Sequence, residues 1–269
     1  MALADTAKPI GTLIRCDYNG CMELEIVAVL LAAPFVGSFL GVVIERLPAG
    51  RPVLLSRSSC DACARTLRPR DLLPIVSWIA QRGRCPYCRA ELGAFYPAIE
   101  LAALAVALST AWLLPGWLLL TSCALGWTLL CLAVIDHRHF LLPDELTLPL
   151  IPAGLVVAWL IVPARLPDHM MGALAGFVAF ALISFAYRHL RGREGLGLGD
   201  AKLLAAAGAW LGWQALPGVV LIGALSALTL ALARSVAGGT LSATMRIAFG
   251  SHLALAIWLV WLFGPVLVA

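Results

Sequence analysis

Two aspartates stand where a carboxylate is costly. Asp136 follows the apolar run 117–135 in Ile135-Asp136-His137-Arg138-His139, and Asp200 opens another run in Gly197-Leu198-Gly199-Asp200-Ala201-Lys202. A charge at the centre of a membrane span costs about 2.5 to 3.5 kcal/mol on insertion scales, so each such residue invites a functional reading. At the C-terminal end of a helix, Asp136 would also face the negative end of the dipole, which makes a structural role hard to find. Asp200 has two readings: a helix N-cap accepting backbone N–H groups, or a reactive carboxylate beside which Gly197 and Gly199 leave room for a substrate strand. Brought together, the two could do aspartic-protease chemistry. One ionised group would take a proton from water while its protonated partner donates to the scissile carbonyl. The sequence holds no Gly-x-Ser-x-Gly, His-Glu-x-x-His or phosphate loop as a competing set.

Other charged groups near these runs have plainer readings. Asp144 follows Pro143 and precedes Thr147 by three residues, a helix-capping arrangement, and Glu145 is a solvated first-turn charge. Lys202 could tune Asp200, although a lysine at a helix start more often reaches for lipid headgroups. Glu100, early in an apolar run, reads as a buried hydrogen-bonded group that places helices, with a substrate contact left open. His137 and His139, two apart, do not share a helix face and read as interfacial side chains.

Cys60, Cys63, Cys85 and Cys88 form two Cys-x-x-Cys knuckles 21 residues apart, close to zinc-ribbon spacing. The surrounding polar insertion is too small for much apolar core, so a metal ion would supply a large part of its folding free energy. Disulfides or free thiols are the alternative, and a reducing compartment disfavours the former. Cys123 and Cys131 lie in an apolar run and read as small buried hydrophobes. Cys16 and Cys21 could pair in an oxidising exterior.

The elements that must position these groups are membrane helices. Of the 269 residues, 61% are hydrophobic and 13% charged, far from soluble averages. Eight apolar runs, 25–47, 96–114, 117–135, 146–162, 170–187, 201–213, 218–233 and 247–266, predict an all-α, polytopic membrane protein with about eight transmembrane helices. The first run follows Glu23 and Glu25 and ends without a small-residue cleavage site, so it reads as a retained helix. The division is an outer arm (1–24), a first helix (25–47), a tetracysteine insertion (48–95) and a helical core (96–269), with no visible repeat of 20 to 50 residues. Threading the spans places 16 of the 19 Lys and Arg residues on the side of the insertion, which the positive-inside rule makes cytoplasmic. The net charge of +4 therefore reports topology and not nucleic-acid binding. A proton- or ion-coupled transporter using Asp136, Asp200 and Glu100, or a non-catalytic assembly scaffold, are the rival classes. The clustering of the aspartates at one face favours a peptidase over a transporter.

Together these motifs resemble the type 4 prepilin leader peptidases of bacteria. The resemblance runs through Gly37-Ser38-Phe39-Leu40 and Arg46-Leu47-Pro48, both knuckles, Asp71-Leu72-Leu73-Pro74 with Ser77-Trp78, and Arg82-Gly83-Arg84-Cys85. It continues through Tyr96-Pro97, Ile99-Glu100-Leu101, Ile135-Asp136, Leu142-Pro143-Asp144 and Gly192-Arg193-Glu194-Gly195 into Gly197-Leu198-Gly199-Asp200. Gly41, Glu45 and Ser251 depart from the pattern, where asparagine, an aromatic or neutral polar residue, and proline are usual. The resemblance implies that Asp136 and Asp200 are the catalytic pair in the Gly-x-Gly-Asp manner of presenilin-like proteases, and that the four cysteines bind Zn2+. It further implies an enzyme of the bacterial inner membrane that cuts a basic leader from prepilins or pseudopilins after a glycine at the cytoplasmic face. Such enzymes then N-methylate the new terminus with S-adenosylmethionine.

Overall fold

The computed structural model describes residues 18–53, 59–60, 62–114, 116, 118–192, 197–237 and 247–267. Cys16 lies outside the described residues, as does the side chain of Cys21. Among the described residues the long helices are α1 (Tyr18–Arg46), α3 (Phe95–Leu113), α4 (Leu118–His139), α5 (Asp144–Ile161), α6 (Leu166–Arg191), α7 (Leu198–Leu211), α8 (Leu216–Val236) and α9 (Phe249–Leu267). The short α2 (Val76–Ala80) belongs to the insertion. Each of the eight apolar runs is thus a helix. Six of them, α1, α3, α4, α5, α6 and α8, are long and apolar enough to cross a bilayer, and the apolar stretch Phe249–Gly264 of α9 is shorter.

The exception is informative. At 14 residues α7 rises about 21 Å, short of the ~30 Å hydrocarbon core. It does not need to meet lipid, because its residues from Leu203 through Trp210 are all buried by neighbouring helices. Its Ala- and Gly-rich sequence allows that burial. A Cβ at Gly208 would lie 2.1 Å from the Gly172 backbone of α6, and one at Gly176 2.6 Å from Leu204 O, so α6 and α7 pack backbone against backbone. At its far end Trp210 Nε1 donates to Leu150 O at 2.9 Å, and the Trp210 and Trp261 rings meet edge to face at 5.4 Å. α7 is therefore a rigid central post with Asp200 in its first turn.

Short connections make successive helices antiparallel. The end of α4 and the starts of α5, α7 and α9 consequently gather at the end of the bundle that carries the insertion. Two departures from the family pattern pack there. Glu45 of α1 pairs with Arg138 of α4 at 2.6 Å, and that guanidinium lies 3.8 Å over the Phe95 ring. A Cβ on Gly41 would lie 2.7 Å from the Tyr96 ring, so the absent side chain leaves the space the tyrosine fills.

The insertion is docked by Glu100, which is buried in α3. Its Oε2 accepts the Ile75 N–H at 2.7 Å, and the Ser38 hydroxyl of α1 also reaches it. Ile75 has φ 62° and ψ −51°, and Val76 N donates to Pro74 O at 2.5 Å. This is a γ-turn of the rare, strained hand, unusual for a β-branched residue. The structural expectation for Glu100 holds: it ties α1, α3 and the insertion together.

Candidate active site and metal centre

The two cysteine knuckles fold alike. Cys60 N donates to Arg65 O and Cys85 N to Ala90 O; Ala64 N returns to Cys60 O and Arg89 N to Cys85 O. Ala64 and Arg89 are both left-handed, with φ 56° and 62°. Isolated bridges Ser59–Thr66 and Arg84–Glu91 close the two turns. Every one of these pairs is offset by 25 residues, so the insertion contains a local repeat that the sequence reading did not see. The four Sγ atoms lie within 4.8 Å of one another, two buried and two exposed. Backbone hydrogen bonds from Cys88 and Tyr87 hold the Cys85 thiol down at about 7. Cys88, despite an Ala90 backbone hydrogen bond, is pushed up to about 11 by burial and the neighbouring sulfurs. One sulfur ready to ionise among three close neighbours is a donor set that a thiophilic cation completes.

Asp136 occupies the last turn of α4. The helix stops because Phe140 is left-handed, with φ 53°, and returns its N–H to Asp136 O at 2.8 Å. The unfavourable dipole of α4 is answered from another helix. Asp136 Oδ2 accepts the backbone N–H of Ser251 at 2.7 Å, with Gly250 N–H as a further donor, so the carboxylate sits on the N-terminus of α9. Asp200 lies in the first turn of α7, and its Oδ2 accepts the Gly197 N–H at 3.3 Å. Asp200 is thus not the N-cap, which is Gly197, but the third residue of the helix, whose carboxylate reaches back to the N-cap N–H. Each carboxylate meets the positive end of a helix, and the two are close enough for their charges to interact.

Leu142, in the α4–α5 connection, sets the spacing between these helix ends. Its side chain would lie 2.9 Å from a Cβ on Gly199 and 2.8 Å from one on Gly250. A Cβ at Gly250 would also stand 3.0 Å from Asp136 Oδ2. A side chain at Gly199 would press on Leu142 close to its backbone, and one at Gly250 would crowd the tip of Leu142 and the Asp136 carboxylate.

Comparison with known proteins gives this arrangement a context. The model of the type IV leader peptidase family matches residues 123–232, which include both aspartates, and that of the bacterial peptidase A24 N-terminal domain matches residues 31–114, which include the four cysteines. A protein named prepilin leader peptidase/N-methyltransferase from Aeromonas hydrophila is 38% identical over 91% of this chain and 93% of its own length. The chain belongs to the type IV leader peptidase family. Proteins of the same name from Dickeya chrysanthemi (42% identical, over 80% of this chain and 84% of that protein) and Pseudomonas aeruginosa (34%, over 92% and 94%) are similar too. No solved structure matches the chain.

In this type IV leader peptidase Asp144 does not cap its helix. Pro143 is the N-cap of α5 and makes no side-chain bond; the Asp144 carboxylate instead takes Lys202 Nζ at 2.6 and 2.8 Å. The pair joins the starts of α5 and α7, so Lys202 neither reaches for headgroups nor contacts Asp200. His137 and His139 are exposed at the end of α4. Among the described residues, only the four cysteines form a potential metal-binding group. The sequence reading missed the part played by Gly250 and Ser251. The signal for it was a Phe249-Gly250 pair at the start of the last apolar run.

Proposed function

We propose that this chain is a membrane aspartic endopeptidase that removes the short basic leader from prepilins or pseudopilins after a glycine and N-methylates the exposed residue. The names of its relatives support both activities. The observation that carries the peptidase reading is the convergence of Asp136 and Asp200, 64 residues apart in sequence, on two adjoining helix N-termini. Two carboxylates facing each other across these helix starts would share one proton. The ionised member activates water, and the protonated member donates to the carbonyl as the tetrahedral intermediate forms. Gly197, where a Cβ would meet nothing closer than Asp200 Oδ2 at 3.6 Å, leaves the edge of Asp200 clear for an extended substrate backbone, whereas the space at Gly199 is taken up by Leu142.

Cys60, Cys63, Cys85 and Cys88 suit zinc, whose four-coordinate thiolate sites are structural, and the ion would close the two knuckles into one unit. S-Adenosylmethionine is the methyl donor consistent with the N-methyltransferase names, and the insertion offers the polar surface such a cofactor requires. The excess of basic residues on the side of the insertion supports a cytoplasmic position for the insertion and the aspartates, in the inner membrane of a bacterium. Incubating the purified protein with a membrane-embedded prepilin and S-adenosylmethionine tests the reading. The product should lack the leader and carry one added methyl group by mass spectrometry; an intact substrate in the presence of folded enzyme would refute it.

A further inference from the structure

The second cysteine knuckle and the end of α2 carry a surface that the peptidase chemistry leaves unused. Arg82, Arg84 and Arg89, with Ala80 and Gln81, line a surface cavity of about 620 Å³. Glu91 pairs with Arg84 at 3.9 Å, and both side chains are exposed, so the pair offsets little of the local positive charge. The backbone keeps the arginines together. Arg82, Gly83 and Arg89 are all left-handed, with φ of 52°, 66° and 62°, and Gly83 O accepts Leu92 N at 2.7 Å. Guanidinium groups gathered round one cavity repel each other until an anion sits among them. Immediately before the cavity, Val76 and Ile79 stand three residues apart on α2, each 63% exposed, and Leu72 and Leu73 are exposed beside them.

Two hydrogen bonds fix where this surface lies. Leu92, which holds Gly83, precedes the start of α3 by three residues, a reach of about 10 Å. Ile75, the N-cap of α2, donates to Glu100, which is already five residues inside α3. The apolar side chains and the arginine cavity therefore stand at the level where α3 enters the bilayer. Aliphatic groups beside arginines at that level match the boundary between acyl chains and phosphates.

We propose that the cavity of Arg82, Arg84 and Arg89 binds the phosphate headgroup of an acidic phospholipid in the leaflet on the insertion's side, with Val76 and Ile79 seated among the acyl chains. The planar fork of arginine fits paired phosphate oxygens. A bound lipid would hold the cysteine centre at a set height over the aspartates.

The test uses the full-length protein in nanodiscs of equal phosphatidylglycerol and phosphatidylcholine, followed by native mass spectrometry of the retained lipid. Phosphatidylglycerol should be retained preferentially. The preference should weaken by about fivefold for each arginine replaced in Arg82→Gln, Arg84→Gln and Arg89→Gln, with metal content unchanged. A photo-crosslinking residue at position 79 should attach to lipid. Equal retention of both lipids, or an undiminished preference in the triple variant, would overturn the proposal. So would inorganic phosphate that binds the lipid-free protein while the crosslinker captures no lipid, because the cavity would then serve a soluble anion. If the triple variant does not accumulate, Arg82→Gln alone, at an exposed position, decides the same question.

Discussion

The backbone N–H of Ser251 donates to Asp136 Oδ2 at 2.7 Å across 115 residues of sequence. A main-chain donor is fixed by its helix and does not titrate, so it orients Asp136 without taking part in the proton transfer. Proline is tolerated in a first helical turn but has no N–H to give. Proline is also the residue usual at this position in the family the chain resembles, so Ser251→Pro should leave Asp136 on the Gly250 N–H and slow cleavage by no more than about threefold. Ser251→Ala keeps the donor and should stay within about twofold of the parent. Initial rates on one prepilin would show it; a loss of about tenfold or more in the proline variant would mean that the Gly250 N–H cannot hold Asp136 without its neighbour.

The arrangement was legible in the sequence wherever it is recorded locally. Apolar runs located the eight helices, Gly197-x-Gly199-Asp200 marked the start of α7, and the cysteine spacing marked the knuckles. Contacts made by the main chain over long separations left no such trace. The support of Asp136 by α9 and the spacer role of Leu142 depend on how helix ends meet, which no window of residues encodes. The 25-residue repeat of the knuckles was hidden for a related reason: it is a repeat of backbone hydrogen bonds, and few side chains besides the cysteines repeat with it. Asp144 misled because a carboxylate after proline fits a cap, whereas Lys202, 58 residues away, offers a charge.

Metal analysis of the purified protein should find one zinc per chain. Cys60→Ser and Cys85→Ser should each lose it, because these are the buried members of the two knuckles. Since the ion supplies much of the folding free energy of so small a unit, chelation should open the 48–95 segment to protease while the membrane helices stay protected. A metal content near zero that is unaffected by either substitution would count against the cysteine site.

Glu100→Ala should loosen the insertion without unfolding the bundle. It removes the acceptor of the Ile75 N–H, and the strained γ-turn at Ile75 then keeps only the backbone hydrogen bonds of its own segment. Leaving that donor unpaired costs about 1 to 3 kcal/mol. Glu100→Gln retains a carbonyl oxygen for the same bond and should behave almost as the parent. Limited proteolysis between the first and third helices separates the two variants; identical patterns would mean that the insertion is held by other contacts.

Asp136→Asn and Asp200→Asn should each abolish cleavage while leaving expression, zinc content and membrane insertion intact. Asparagine keeps an oxygen to accept Ser251 N–H or Gly197 N–H, so the helix ends that meet at Leu142 should stay in place. What it cannot do is take or give the proton that the chemistry moves. A purely structural role would thus survive the change, and a catalytic one would not. Asp144→Asn is the internal control: it weakens a partly exposed pairing with Lys202 and should cost about 1 kcal/mol or less, with substantial activity retained. Because one proton must be shared between two carboxylates, the parent rate should also fall on both sides of a pH optimum, with apparent pKa values that belong to the pair. Robust cleavage by either asparagine variant at Asp136 or Asp200 would place the catalytic groups elsewhere, even in a chain of this family.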